Sequence, residues 1–503
     1  MKAWARNALD APEVRVAILW WVAVFVWSGH MAPAGYLLTF DDVWRLIHAN
    51  ESRHGAIAPS EVWPPLQFWV LGAVLHLIDN AALASKIINL TVTAGAIVQV
   101  GRLAAETGGG RIGRTAAALS FGTLPFVLWV APSALVEPWT LLAGIYALRR
   151  ARSWWIDGDP AALRHAFLAL GVGAMTRYEA WGWLVLLMVA SHVAPRRGRV
   201  SDGWQASAML ACLFPLAWCA AQFAWSGNPF NFGVFAHDFL VEDHPGQGFA
   251  GRTTEAVVAM FEVGLPLAVA GLAGSFAASP GLRLVWVAAL GAAVLQVGAH
   301  AGGLAGLHNV WRHHLHLAVP LALGAGVLVE RAAALGRPAA LGVLGLVLHV
   351  QVLHLEWPPV AYEDDLQAVA LHLRPMREDI DGTVLIEAIG YESRVLQILL
   401  GDMDDARFDR LINLVPLDRP MTDEERTSNH SLLDLPYKDL AATLQRERVL
   451  WIATFTETSM AKAAFHGSLV FEAPPRECGQ WPVFRVGGAQ TPAKNTAAPN
   501  TLR

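Results

Sequence analysis

The chain has 503 residues, of which 54% are hydrophobic and only 16% charged, with a mean hydropathy of +0.38. An average soluble domain carries roughly 25% charged residues, so disorder, collagen and a soluble single-core enzyme are excluded. The net charge of −5 gives no basic footprint for a nucleic-acid partner, and three cysteines cannot build a disulfide framework.

The first apolar run, 16–38, is too long for a signal-peptide core and reads as a retained membrane helix. A hydrocarbon core about 30 Å thick needs roughly 17–25 apolar helical residues. On that measure further spans fall at 82–101, 112–131, 134–148, 163–177, 179–194, 205–225, 256–277, 284–304, 315–329 and 339–355, eleven in all. The segment 66–78 (LQFWVLGAVLHLI) is too short to span and reads as an interfacial or re-entrant helix of the first outer loop. Twenty-one tryptophans suit a chain that anchors itself at two membrane–water interfaces.

Cationic residues set the orientation. With the N-terminus inside, the inner segments hold sixteen lysines and arginines, among them Arg149, Arg150, Arg152, Arg196, Arg197 and Arg199. The outer loops hold four: Arg45, Arg53, Arg252 and Arg312. The two arginine clusters must be separated by an even number of crossings. The apolar stretch between them is interrupted at Thr176-Arg177-Tyr178-Glu179, which reads as the outer turn of a short hairpin.

Eleven crossings place everything after residue 356 outside. There TVLIEAI (383–389), RVLWIAT (448–454), SLVFEA (468–473) and PVFRV (482–486) read as strands, and Tyr362–Leu373 as a helix. The expected architecture is an α-helical polytopic membrane protein of about eleven helices with a small soluble α/β C-terminal domain. Its domains are a transmembrane domain, 1–356, with a first outer loop at 39–81, an outer α/β domain, 357–487, and a disordered Pro/Ala/Asn-rich tail, 488–503.

Ionisable residues at the edge of a membrane are costly and default to functional candidates. They gather on the expected outer face. Phe40-Asp41-Asp42-Val43-Trp44-Arg45 follows the first span, and His48, Arg53, His54 and Trp63-Pro64-Pro65-Leu66 complete that loop. Glu137 follows Ala131-Pro132-Ser133, and Arg177 and Glu179 occupy the hairpin turn. The 227–255 loop adds His237, Asp238, Glu242, Asp243 and His244, and Arg312-His313-His314-Leu315-His316 precedes the tenth span. Each has a plainer explanation. Asp41-Asp42 and Glu137 could be first-turn helix acids. Arg177 could be a snorkelling residue, and the histidines lack the accompanying acid or cysteine of a metal site. Taken jointly they form a cleft of carboxylates and cations at one membrane surface.

In this arrangement the chain resembles the GT-C superfamily of membrane glycosyltransferases. Within it the likeness is to the branch of protein O-mannosyltransferases and lipid A aminoarabinose transferases. Phe40-Asp41-Asp42 stands where that branch has its acidic pair, Pro64-Pro65-Leu66 where it has a PPL motif, and Glu137 where it has a second-loop acid. Gly173-Ala174-Met175-Thr176-Arg177 resembles its Gly-x-x-Thr-Lys/Arg turn, and Arg312 through Pro320 its Arg-Tyr-x-x-Pro-like helix start. The chain departs from the pattern at Trp63, where the branch often has His or Lys, and at Glu137, where Asp is more usual. Arg45 also sits one position later after the acidic pair than in the aminoarabinose transferases.

The resemblance implies an inverting transfer of a sugar from a polyprenyl-phosphate donor to a lipid, glycan or protein acceptor, on the outer face of the cell membrane. It implies catalytic roles for Asp41, Asp42 and Glu137, with Asp41 as the base. It implies donor-phosphate contacts from Arg177, Arg312, Arg45, Arg53 and His54, and no obligatory metal or other cofactor. A polysaccharide polymerase or ligase and a non-enzymatic lipid or sugar transporter are the rival functions. An acidic pair directly after the first span favours the transferase.

Overall fold

A computed structural model describes residues 10–31, 40–58, 60, 62–78, 80–193, 204–234, 237, 248–275, 279–303 and 310–354, with residues 442 and 444 and five short strands beyond them. The expected helix at Tyr362–Leu373, the strand at 468–473, the 238–247 loop acids and the tail lie outside the described residues. The chain divides into two compact units. One holds 1–27, 44–77 and 83–358; the other holds 28–43, 78–82 and 359–503.

The first unit is helical. Its helices are α1 (Pro12–Met31), α2 (Phe40–Arg53), α3 (Leu66–Leu75), α4 (Ala81–Glu106), α5 (Arg111–Gly122), α6 (Pro125–Val130), α7 (Glu137–Arg152), α8 (Pro160–Ala174), α9 (Glu179–Val193), α10 (Trp204–Ser226), α11 (Phe249–Ser275), α12 (Pro280–Ala301), α13 (Ala318–Ala334) and α14 (Arg337–Leu353). Residues 28–31 of α1, 40–43 of α2 and 81–82 of α4 belong to the second unit. A π-turn, Ser153–Asp157, extends α7, and a 3₁₀ helix, Val310–Leu317, leads into α13. Among the described residues six helical stretches are long and apolar enough to cross a membrane: Pro12–His30, Ala81–Glu106, Trp204–Ser226, Phe249–Ser275, Pro280–Ala301 and Arg312–Ala334.

The expected single span at 112–131 is two helices. Pro125 has no N–H to donate, and Leu124 before it is held extended (φ −60°, ψ 130°), so the chain breaks between α5 and α6. The expected hairpin is present as α8 and α9, joined by the turn 175–178. Close packing depends on small residues. Where α11 meets α13, a Cβ on Gly274 would lie 1.8 Å from the Gly324 carbonyl oxygen. Where α2 meets α3, a Cβ on Gly72 would lie 2.7 Å from the Ala49 carbonyl oxygen.

Polar side chains gather at the two ends of this bundle. One end holds the ion pairs Arg114–Glu13, Arg149–Glu106, Arg150–Asp159 and Arg152–Asp157. There Glu330 of α13 also accepts the backbone N–H of Gly113 in the first turn of α5. The opposite end holds Arg45, Glu137, Arg177, Glu179 and Arg312. Between them lies an apolar core of Trp20, Ile97, Phe121, Val127, Leu135 and their neighbours.

The second unit carries a five-stranded sheet of β1 (Thr383–Glu387), β2 (Phe408–Arg410), β3 (Val449–Thr454), β4 (Arg476–Cys478) and β5 (Trp481–Arg485) in the order β2-β1-β3-β5-β4. β1 pairs in parallel with β2 and β3, while β5 pairs antiparallel with β3 and β4. β1 and β3 fall within the expected strands at 383–389 and 448–454, and β5 overlaps the expected strand at 482–486, starting one residue earlier at Trp481. β2 and β4 were not expected, because three residues give no alternation to read.

Candidate active site

The site at the Glu137 end is built on a buried loop. Residues Ala131–Val136 are fully enclosed, and a buried loop must find partners for its carbonyl groups. Asn89 of α4 donates to the carbonyls of Ser133 and Leu135, both at 2.6 Å. Gln67 of α3 donates to Ala134 at 2.7 Å. The loop is thereby fixed, and it delivers Glu137 to the first turn of α7, where a carboxylate suits the helix's positive end.

Glu137 is met from two directions. Arg177 Nη1 donates to Glu137 Oε1, and Arg312 Nε stands 2.7 Å from the same oxygen. Arg177 also clamps Glu179, its Nε donating to Oε1 and Oε2 at 2.8 and 2.9 Å. His313 Nδ1 contacts Glu179 Oε1 and lies 3.0 Å from Arg177 Nη2. Four charged side chains and one histidine thus share a single buried cluster.

Arg45 approaches through a second relay. Its Nη1 donates to Gln67 Oε1 at 3.1 Å, its guanidinium lies 4.6 Å from the Trp63 ring centroid, and its charge acts on Glu137. Trp63, the departure from the family pattern, is the face against which this arginine stacks. The loop carrying Trp63 is pinned to the hairpin turn, because Leu66 N–H donates to the Met175 carbonyl at 3.1 Å. Tyr178 hydroxyl donates to the Val62 carbonyl and accepts from Trp218 Nε1 at 2.9 Å. Burial pushes the Tyr178 pKa up, so its hydroxyl stays a donor.

Of the residues singled out in sequence, Glu137, Arg177, Arg312 and Arg45 come together. Asp41 and Asp42 occupy the first turn of α2, Asp42 buried and Asp41 half-buried, where carboxylates can also serve as first-turn acids. Arg53 and His54 close the other end of α2, and Arg53 stands eight residues, roughly 12 Å, beyond Arg45 along the helix axis. Glu179, His313, Gln67 and Trp183 belong to the site and were not assigned to it from sequence. Among the described residues no group of three His, Cys, Asp or Glu side chains could hold a metal ion, the histidines of 313–316 included.

Two cavities adjoin here. A small polar one, about 20 Å³, is walled by Glu137, Thr140, Arg177, Glu179, Arg312 and His313. An apolar groove of about 430 Å³ runs beside α7 between α9 and α12, from Leu141 to Trp154 and Trp155. The two share Leu141, Trp183 and His316 as a common wall. Gly144 lets Trp183 sit there, since a Cβ at that position would lie 2.3 Å from its indole ring.

No family sequence profile and no curated protein sequence matches the chain. Solved structures do. ArnT from Cupriavidus metallidurans bound to undecaprenyl phosphate aligns over 97% of this chain and 99% of its own, with a TM-score of 0.56 at 11% identity. The same protein in its apo state aligns over 96% and 98%, with a TM-score of 0.52 at 13% identity. The chain therefore has the fold of these ArnT structures, and six of its described helical stretches are long and apolar enough to cross a membrane.

Proposed function

We propose that the protein is an inverting glycosyltransferase that moves a sugar from a polyprenyl-phosphate donor to an acceptor on the outer face of the membrane. The observation that carries this reading is the junction of the two cavities. An apolar groove of about 430 Å³ ends at a cluster containing Arg177 and Arg312, sharing Leu141, Trp183 and His316 with it. A ligand with a long apolar tail and an anionic head matches that junction. The ArnT structure bound to undecaprenyl phosphate supports the same class of ligand.

In the proposed reaction the acceptor hydroxyl oxygen forms a bond to the anomeric carbon while the bond from that carbon to the phosphate oxygen breaks. The phosphate leaves with the bonding electrons, and the hydroxyl proton passes to a base, assigned to Asp41. Arg177, with Arg312 and Arg45, would neutralise the leaving phosphate by charge-assisted hydrogen bonds. Asp42 and Glu137 would orient these groups, and Arg53 and His54 are assigned to the approach of the donor. With cations at the leaving group, the chemistry asks for no obligatory metal. Eleven crossings, an inner N-terminus and an outer α/β domain at 357–487 that receives the acceptor complete the proposal.

The test is incubation of membranes containing the protein with sugar-labelled polyprenyl phosphates. Transfer of label to a new product with release of polyprenyl phosphate is expected. A donor that crosses sealed vesicles intact and is never consumed would establish the transporter instead.

A further inference from the structure

The polar cavity poses a problem for the donor. A void of about 20 Å³ holds roughly one water, and a phosphate group is far larger. Arg177, which lines the polar cavity, already grips both oxygens of Glu179 and one of Glu137. The cluster of Glu137, Glu179, Arg177 and Arg312 balances its own charge, with Arg45 acting on it from outside. A phosphate can reach Arg177 only by replacing a carboxylate there. Glu137 is held by two arginines, Arg177 of the hairpin turn and Arg312 of the 3₁₀ helix. Glu179, the first residue of α9, is held by one arginine, Arg177, and by His313, so it is the carboxylate that gives way.

Resting on the donor-site reading above, we infer that Glu179 is a specificity-determining residue that competes with the lipid phosphate for Arg177 and discriminates donor from product by charge. The sugar-linked donor is a phosphodiester with one negative charge. The released polyprenyl phosphate is a monoester, whose charge at neutral pH is about −1.5 to −2 because its second pKa is near 6. A displaced but nearby carboxylate repels the second of these more strongly than the first. Glu179 therefore returns to Arg177 as the product leaves, and the site does not remain blocked by its own lipid.

The test is equilibrium binding to the purified full-length protein in nanodiscs, with two probes: undecaprenyl phosphate and its methyl phosphodiester. The unmodified protein should bind the diester at least as tightly as the monoester; a clear preference for the monoester overturns the inference without any variant. Glu179→Gln removes the charge and should tighten monoester binding about tenfold or more while changing diester binding less than about threefold. Glu179→Asp keeps the charge and should retain the wild-type ratio. Monoester affinity unchanged or weakened in a folded Glu179→Gln protein overturns the role of Glu179 while leaving the donor site intact. Binding of neither probe by the unmodified protein overturns the donor site itself, and this inference with it.

Discussion

The arginine of the hairpin turn serves two carboxylates from different helices, Glu137 of α7 and Glu179 of α9. Removing it should cost transfer roughly 10²–10³-fold, the size of losing one stabilising donor at a developing charge. Arg177→Lys should recover part of that, since lysine keeps the charge but not the planar fork. Steady-state transfer assays on both variants check this, alongside a melting curve, because a buried carboxylate left without its partner also destabilises. Asp41 poses a sharper choice. As a first-turn helix acid it tolerates Asp41→Asn, since asparagine caps about as well as aspartate. As the base it does not, and transfer should fall about 10²–10⁴-fold with normal expression. Asp42→Asn should cost less. Arg45, Glu137, Arg177 and Arg312 were legible in sequence because charges in apolar surroundings stand out. Gln67 was not, because a neutral amide just after Pro64-Pro65-Leu66 carries no such signal, although it fixes both Arg45 and the 131–136 loop. Glu179 and His313 were visible as polar residues, but which carboxylate takes which cation is a property of packing.

At the scale of elements, apolar runs found the helices and missed how they are joined. After Arg114 the run 112–131 carries no charge, so Pro125 is what marks the break between α5 and α6. That break matters for the site, because α6 leads directly into the enclosed loop that delivers Glu137. The close meeting of α11 and α13 was equally hidden, since Gly271, Gly274 and Gly324 look like unremarkable small residues until the helices are docked. Gly271 and Gly324 approach nearly as closely as Gly274 does, a Cβ on Gly324 lying 2.0 Å from the Gly271 carbonyl oxygen. Gly324→Ala should therefore push the helices apart and destabilise the protein by about 1–3 kcal/mol or more, the range for overpacking a filled interior. Thermal unfolding in detergent measures this. Gly342→Ala in α14 is the control: a Cβ there meets nothing within 4 Å, and its melting temperature should not fall.

Over the whole molecule, polar side chains mark the two ends of the helical unit and an apolar groove connects the space between them. The ends were foreseeable, because polar clusters and apolar runs alternate along the chain. The groove was not, because its lining residues come from α7, α9, α12 and the start of α13, and nothing in any single segment distinguishes a groove wall from a core face. Charge asymmetry predicts that a reporter fused after residue 200 is active inside the cell and one after residue 360 outside. An inside signal at 360 would remove the outer active site. The central claim is that a lipid phosphate lies with its tail in this groove and its head at Arg177. Photo-crosslinking with a polyprenyl phosphate carrying a diazirine on its first isoprene units tests it most directly. The account predicts peptides containing Leu148, Trp155, Leu186 or Val287, with labelling suppressed by excess undecaprenyl phosphate and not by the neutral polyprenol. Labelling confined to outward faces such as Val269 of α11, or equally suppressed by polyprenol, would contradict it.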